Sequence, residues 1–385
     1  MRNLMHIAYL IPTIDRIGGA ERQLILLATG MADRGWRVTV LALYGDGGRA
    51  ADELAANNVS FLSLQMINGL RDARGWNGLR RWIKSAKPEI LHAHLAQAAL
   101  MGRGMRTVVP VRVFIDTIHS PAIGSAARQA GYRITSHIPD CVTAVSRSAA
   151  RPWLDAHILD QRIAAIIPNG IDTGFWRSQR DPESDCPQKS AAPAFCWLAV
   201  GRLEPVKDYA TLLDALAMLP ESSHLTICGS GPLEHALRLQ ATQLRIQDRV
   251  TFLGFQSDVT GLMQTHDAFV LSSLWEGLPI ALIEACACEL PAVFTETDGC
   301  REVLPDSSIP VAPVGDPQAL ASAMLAMMNM PECDRREFGR RVRQKIVGRF
   351  DLHSVLNRYE LLYRHLLAAK PRPTRFRRRL GPLTF

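Results

Sequence analysis

Twice along this chain a short apolar run ends at a glycine turn and passes into a helix, and the second series begins afresh after a change of composition. His6–Ile11 is followed by Gly18 and Gly19, then by Leu24, Leu27, Ala28 and Met31 at the i, i+3, i+4 and i+7 spacing of an amphipathic helix. Gly35 stops that helix and residues 37–43 read as the next strand, so the chain opens with a βαβ unit. Apolar runs at 89–92 and 113–119 continue the alternation. The pattern predicts an α/β fold with a parallel sheet covered by helices on both faces.

Over residues 173–194 the sequence turns charged and rich in Pro and Ser, as an exposed linker would. The alternation then restarts. Phe195–Val200 reads as a strand ending at Gly201, 208–219 as a helix, and 224–229 as a strand that turns at Gly229-Ser230-Gly231. Val250–Gly254 and 268–273 read as further strands, and 279–288 as a helix. Two tandem Rossmann-like domains are expected, at residues 1–172 and 195–350, followed by a helix at 351–368 and a tail at 369–385. A length of 385 residues, with 47% apolar and 21% charged, fits two such domains and excludes a disordered or fibrous chain.

The net charge of +7 is concentrated. Six bases (Lys370, Arg372, Arg375, Arg377, Arg378, Arg379) fall in a closing segment without an acid, and the body is nearly neutral. That balance argues for an anionic contact at one end and against a chain that coats nucleic acid. Eight cysteines without a Cys-x-x-Cys pair suggest neither a disulfide framework nor a zinc site, and a reducing cytosol is expected. The apolar start at 5–11 is cut by Pro12 and Asp15 and reads as a strand, not a signal peptide. No apolar run reaches the roughly 18 residues of a membrane span, so any membrane contact is expected to be peripheral.

In an open parallel sheet, ligands sit beyond the carboxyl ends of the strands. Four places there invite chemistry. Gly18 and Gly19, ahead of a helix, let backbone N–H groups approach an anion, or simply make a turn needing positive φ. Arg202 and Lys207 follow the first strand of the second series and could neutralise a diphosphate, or be ordinary loop cations. Glu276 and Glu284 flank Gly277, Leu278, Pro279 and Ile280. If the turn before Pro279 is helical, the two carboxylates lie within roughly 80° of each other and can grip the vicinal hydroxyls of a sugar. Pro279, as first helical residue, would leave free N–H groups for phosphate; otherwise Glu276 is a cap and Glu284 is solvated. His119 ends a strand where it could donate to a reacting group, with His92 and His94 as rivals.

Together these residues resemble the family 4 retaining glycosyltransferases of the two-Rossmann GT-B fold, of bacterial surface-polysaccharide type. The resemblance runs through Gly18-Gly19-Ala20-Glu21, the stretch from Lys87 to His94, Ile118-His119-Ser120, and Ala144-Val145-Ser146. It continues through Pro168-Asn169-Gly170, Gly201-Arg202-Leu203 with Lys207, Gly229-Ser230-Gly231-Pro232, and Glu276-Gly277-Leu278-Pro279 to Glu284-Ala285. It implies that Arg202 and Lys207 hold the donor diphosphate, Glu284 the ribose, and Glu276 the transferred sugar. The backbone of Gly277, Leu278, Pro279 and Ile280 would support sugar and phosphate. Gly18 and Gly19 would close over the β-phosphate and His119 would sit near the anomeric centre. The donor would bind the C-terminal half and the acceptor the N-terminal half, and the last helix would cross back onto the first domain. Two positions depart from the family pattern: Glu289 and Cys300 stand where glycine is frequent, and Glu289 is expected either in the left-handed conformation or at an altered helix end.

No Asp-x-Asp occurs, so protein cations and helix N-termini are expected to stabilise the departing nucleoside diphosphate without a metal or other cofactor. The expected co-substrate is a nucleotide-diphosphate sugar, with uridine favoured. The acceptor would be a glycan or lipid-linked oligosaccharide. The basic tail at 370–385 and the amphipathic stretch 71–87, with Trp76, Leu79, Trp82 and Ile83 beside its bases, suggest peripheral docking on the inner face of the plasma membrane. A nucleotide-sugar epimerase of the same build and a non-catalytic nucleotide-sugar-binding protein are the alternatives.

Overall fold

Strands rich in Val, Ile, Leu and Ala, buried on both faces except in the edge strands, make two wholly parallel sheets among the residues described by this computed structural model: 5–15, 18–67, 69–178, 194–305 and 309–369. One compact unit is built from the chain up to Gly170 together with the stretch from Leu352 onward, the other from Ile171–Asp351. Among the described helices none is long and apolar enough to cross a membrane.

The first sheet holds β1 (His6–Ile11), β2 (Arg37–Ala42), β3 (Ser60–Ser63), β4 (Ile90–His94), β5 (Val113–Ile118), β6 (Cys141–Ala144) and β7 (Ala164–Ile166). Their order is β3-β2-β1-β4-β5-β6-β7, so the winding direction reverses between β1 and β4. Parallel neighbours there are in register as Tyr9 with His92 and Leu10 with Ala93. Such a reversal opens a crevice at the carboxyl ends, where Gly18 and Gly19 follow β1 and where β4 and β5 end in His94 and Ile118.

The second sheet holds β8 (Phe195–Val200), β9 (Ser223–Cys228), β10 (Val250–Gly254), β11 (Ala268–Leu271), β12 (Ala292–Thr295) and β13 (Val311–Ala312), in the order β10-β9-β8-β11-β12-β13. Its reversal lies between β8 and β11. The loop after β8 carries Arg202 and Lys207 and the loop after β11 runs from Ser272 to Pro279.

The helix Leu352–Ala368 belongs to the first unit. Val355, Leu356, Tyr359, Leu362, Tyr363, Leu366 and Leu367 are buried at helical spacing in one core with Leu24, Ala28 and Met31 of the helix Gly19–Asp33. Each buried leucine there contributes about 2 kcal/mol of transfer free energy. The two helices meet closely because position 30 is glycine: a Cβ on Gly30 would stand 2.4 Å from Cδ1 of Leu356. The chain enters and leaves the second unit side by side, with the Ile171 N–H donating to the Phe350 carbonyl at 2.8 Å.

The expected linker at 173–194 lies partly outside the described residues, since 179–193 are not among them, and the basic tail at 370–385 lies wholly outside. The amphipathic stretch at 71–87 differs from a docking helix. In the helix Ala73–Ala86, Leu79 and Ile83 are buried within the unit. Trp76 is half-buried and its indole N–H donates to the Leu70 carbonyl at 2.8 Å, and Trp82 lies edge-on to the His6 ring. The apolar face is already covered, and Arg80, Arg81 and Lys84 face outward.

Candidate functional site

In the second unit, glycines bring loop backbone together before any side chain acts. Gly229 packs so tightly on the residue after β8 that a Cβ would fall 1.9 Å from the Gly201 carbonyl oxygen, and the Leu203 N–H donates to the Ser230 carbonyl at 3.0 Å. That contact holds the loop from Gly201 to Asp208 against the sheet. Ser272 Oγ donates to the Lys207 carbonyl at 2.8 Å and the Leu274 N–H to the Val206 carbonyl at 2.8 Å, which ties the loops after β8 and β11 to each other.

On this frame Lys207 Nζ lies 2.5 Å from Glu276 Oε1, and Ser273 Oγ donates to the same oxygen at 2.6 Å. Ser273 is fully buried and its own carbonyl accepts from Thr295 Oγ1 at 2.6 Å. The Glu276 carboxylate is thereby oriented by Ser273 of its own loop and by Lys207, 69 residues away in sequence. Gly299 completes the fit from the helix Asp298–Val303, for a Cβ there would stand 2.4 Å from the Glu276 carbonyl oxygen. Arg202, by contrast, is exposed and lies 2.9 Å from Glu204.

Pro279 is not the first helical residue. Its ψ of 94° is extended, so it is the N-cap, and the helix is Ile280–Ala287. The helical angle expected between Glu276 and Glu284 therefore does not apply. Glu284 sits one turn after Ile280 on the same face, and both are half-buried. Gly277, Leu278 and Pro279 are buried, and Pro279 supplies no side-chain cap to the helix start. Glu289 does take the left-handed conformation, at φ 62°, at the end of this helix. Cys300 is buried, in the helix Asp298–Val303 capped by Thr297.

In the first unit, Gly18 is the N-cap of the helix Gly19–Asp33 with φ −100°, so a left-handed turn is not the reason for glycine there. A Cβ there would lie 2.8 Å from Glu21 Oε2, the end of a flexible side chain, and would have to push it aside. The Gly18 N–H donates to that carboxylate at 3.0 Å. Gly19 is exposed.

His119 follows β5 instead of closing it, and its Nε2 lies 3.0 Å from Nδ1 of His94, which ends β4. Both line a small cavity with Gln23, Asn169, Leu356 and Tyr359. Burial lowers the His119 pKa to about 4, and burial with the neighbouring histidines lowers that of His94 well below the usual value. His92 is engaged elsewhere: Tyr363 Oη lies 2.8 Å from its Nδ1 and Thr117 Oγ1 lies 2.7 Å from its Nε2. Burial takes its pKa down to about 3. Gln23 reads the backbone of Gly170 in both directions, donating to its carbonyl at 2.8 Å and accepting from its N–H at 2.9 Å.

Lys207, Glu276 and His119 are legible in the sequence as residues after strands, but their pairings are not. Ser273 carried no signal beyond its place after a strand, and His94 stood only as a rival to His119.

Two family models match the chain: "Glycosyltransferase Family 4" over residues 17–175 and "Glycosyl transferases group 1" over residues 187–345. The chain belongs to glycosyltransferase family 4. Relatives of this family 4 protein include the UDP-Gal:alpha-D-GlcNAc-diphosphoundecaprenol alpha-1,3-galactosyltransferase of Escherichia coli, 25% identical over 60% of this chain and 64% of that enzyme. The chain thus spans somewhat under two thirds of that relative. The lipopolysaccharide core biosynthesis glycosyltransferase LpsE of Rhizobium meliloti is 26% identical over 92% of this chain and 97% of its own length. Among solved structures, HepE of Anabaena in complex with UDP and glucose aligns at a TM-score of 0.79 with 21% identity, over 94% of this chain and 100% of HepE, a likeness of fold.

Proposed function

We propose that this family 4 protein moves a hexose or N-acetylhexosamine from a nucleotide-diphosphate sugar, a UDP-sugar, to a glycan or lipid-linked oligosaccharide in cell-surface polysaccharide synthesis, at the cytoplasmic side. The observation that carries the reading is the Lys207–Glu276 pair at the switch point of the second sheet, where the fold puts ligands. A cation and a carboxylate held side by side suit a sugar diphosphate, which offers an anionic and a hydroxyl-rich end. The donor and lipid-linked acceptor in the name of the Escherichia coli relative support both classes, and the UDP and glucose bound to HepE support the donor.

In this reading the second unit (Ile171–Asp351) takes the donor and the first the acceptor. Lys207 and Arg202 meet the diphosphate, Glu284 the ribose, and Glu276 the transferred sugar. The backbone from Gly277 to Ile280 supports sugar and phosphate, and Gly18 and Gly19 approach the β-phosphate. His119 contacts the sugar near its anomeric carbon. Transfer retains configuration by front-face attack. The bond from the anomeric carbon to phosphate oxygen breaks, the bond to the acceptor oxygen forms on the same face, and the acceptor's proton passes to the leaving β-phosphate. Fixed protein cations meet the charge on the leaving group, so no metal is required. The basic tail at 370–385 brings the protein to an anionic membrane surface.

The test is transfer from a panel of UDP- and GDP-sugars to lipid-linked acceptors, with proton NMR of the product anomer. Retained anomeric configuration and full activity in excess chelator are the expected results. Inversion, or activity that only Mg²⁺ restores, overturns the mechanism. A donor altered without any acceptor indicates an epimerase instead.

A further inference from the structure

His94 has no part in the roles above, yet it forms a unit with His119. A neutral imidazole carries one N–H and one lone pair. The contact between His94 Nδ1 and His119 Nε2 uses one of each, whichever ring donates. The pair must then present one N–H and one lone pair at its outer nitrogens, His94 Nε2 and His119 Nδ1. Among the described residues neither nitrogen has a hydrogen-bond partner, although both are buried and both rings line the same cavity. His94 is only 2% exposed. Leaving two ring nitrogens unmatched costs about 1–3 kcal/mol each, so the arrangement is held against its own preference by the surrounding packing. His92 lies tilted at 40° against His94 with centroids 4.3 Å apart, and Tyr9 lies edge-on to it at 5.8 Å, which restricts the plane of the His94 ring.

From this geometry we infer that His94 is a positioning residue for His119: with the His94 ring held by its neighbours, their ring-to-ring bond ties the proton on His119 to the tautomer of His94, and so ties what His119 Nδ1 offers a hydroxyl to that same choice. The inference rests on the proposed function in one respect, that His119 touches the sugar. A hydroxyl is the matching ligand because it both donates and accepts. A phosphate gains no charge pairing from two uncharged rings. The pairing was not legible in the sequence because β4 and β5 had first to lie in register, with Ala93 beside Asp116 and His94 beside Thr117.

The experiment uses the full chain with ¹⁵N-labelled histidine and reads the His119 tautomer from two-bond ¹H–¹⁵N correlations at pH 7, assigned by loss of signal in His119→Asn. The wild type should show one His119 tautomer. His94→Asn keeps near the place of Nδ1 an amide that can accept or donate, and should still leave His119 in a single tautomer. His94→Leu removes any such partner, and should give a tautomer mixture with kcat lowered about 10- to 100-fold and donor KM within about twofold. If His94→Leu does not fold, His94→Gln, whose amide lies beyond the place of Nδ1, gives the same reading. A single unchanged His119 tautomer in His94→Leu or His94→Gln overturns the inference, whatever the rate. Failure of the wild type to transfer any sugar would defeat the functional reading and leave the tautomer result standing.

Discussion

Nζ of Lys207 lies 2.5 Å from Oε1 of Glu276, on loops that leave adjacent strands of the second sheet. The two side chains are 20% and 11% exposed, so the pair is neither a surface ion pair nor fully desolvated. Its charges and directions belong to different steps of the proposed chemistry, and substitutions should separate them. Glu276→Gln keeps the shape, removes the charge beside the sugar, and should lower kcat by about 100-fold or more. Lys207→Met should act mainly on donor binding and raise the donor KM. Steady-state kinetics on both variants checks the division, and an equal loss in kcat and KM for both would contradict it.

A double-mutant cycle on the same pair should give a modest coupling in stability. About 1 kcal/mol is expected in urea unfolding, because partial exposure screens the attraction while each side chain still loses freedom. Ser273→Ala removes a buried donor to Glu276 and should cost about 1–2 kcal/mol, since the serine's neighbours cannot replace the bond.

Glu289 and Gly339 make opposite predictions about one contact. Glu289 holds φ 62° without being glycine, and Glu289→Gly should stabilise the protein by about 1 kcal/mol, less the weak contribution of its 4.0 Å ion pair with Arg343. Gly339 packs on the backbone of the same residue, where a Cβ would lie 2.0 Å from the Glu289 carbonyl oxygen. Gly339→Ala should therefore destabilise by roughly 3 kcal/mol, because backbone, not a flexible side chain, must move. Urea midpoints of the two variants should shift in opposite directions.

Three buried histidines predict the acid sensitivity of the first unit. Burial lowers the pKa of His92 to about 3, of His119 to about 4, and of His94 well below 6.5. The unfolded chain takes up protons as pH falls below 6.5 while the folded chain does not. Stability is therefore complete above pH 6.5 and declines from there towards pH 4, by up to about 1.4 kcal/mol per pH unit for each histidine. Urea unfolding at pH 7, 6 and 5 should show that slope. His119→Asn should flatten it by one histidine's share, and an unchanged slope in that variant would show that His119 is not kept neutral.

The helix Leu352–Ala368 should be indispensable to the first unit, far though it lies from that unit in sequence. Tyr363→Phe removes the hydroxyl that lies 2.8 Å from His92 Nδ1 and 3.2 Å from Tyr9 Oη, and should cost about 1–3 kcal/mol. Circular dichroism during urea unfolding should register the loss with donor KM unchanged.

Local chemistry made much of this protein readable. Leu24, Leu27, Ala28 and Met31 announce their helix by spacing alone, and His6–Ile11 and Phe195–Val200 announce strands by apolar runs, because both signals need only neighbours in the chain. Short strands such as Ser60–Ser63 and Ala164–Ile166 leave no clear signal, since three or four residues carry too little periodicity. Pro279 caps its helix one position ahead of the place its sequence suggests, because proline is tolerated at a helix cap as well as in the first turn, and only the backbone angles separate the two.

By itself, then, the sequence determined the alternation of strands and helices, the restart after residue 195, and the residue types that stand at strand ends, all of them consequences of near neighbours. Only the tertiary structure decided that Lys207 faces Glu276, that His94 holds His119, and that Tyr363 closes on His92. Those pairings depend on which strands lie side by side, and strand order is settled by the burial of whole faces across the sheet, not by any one segment.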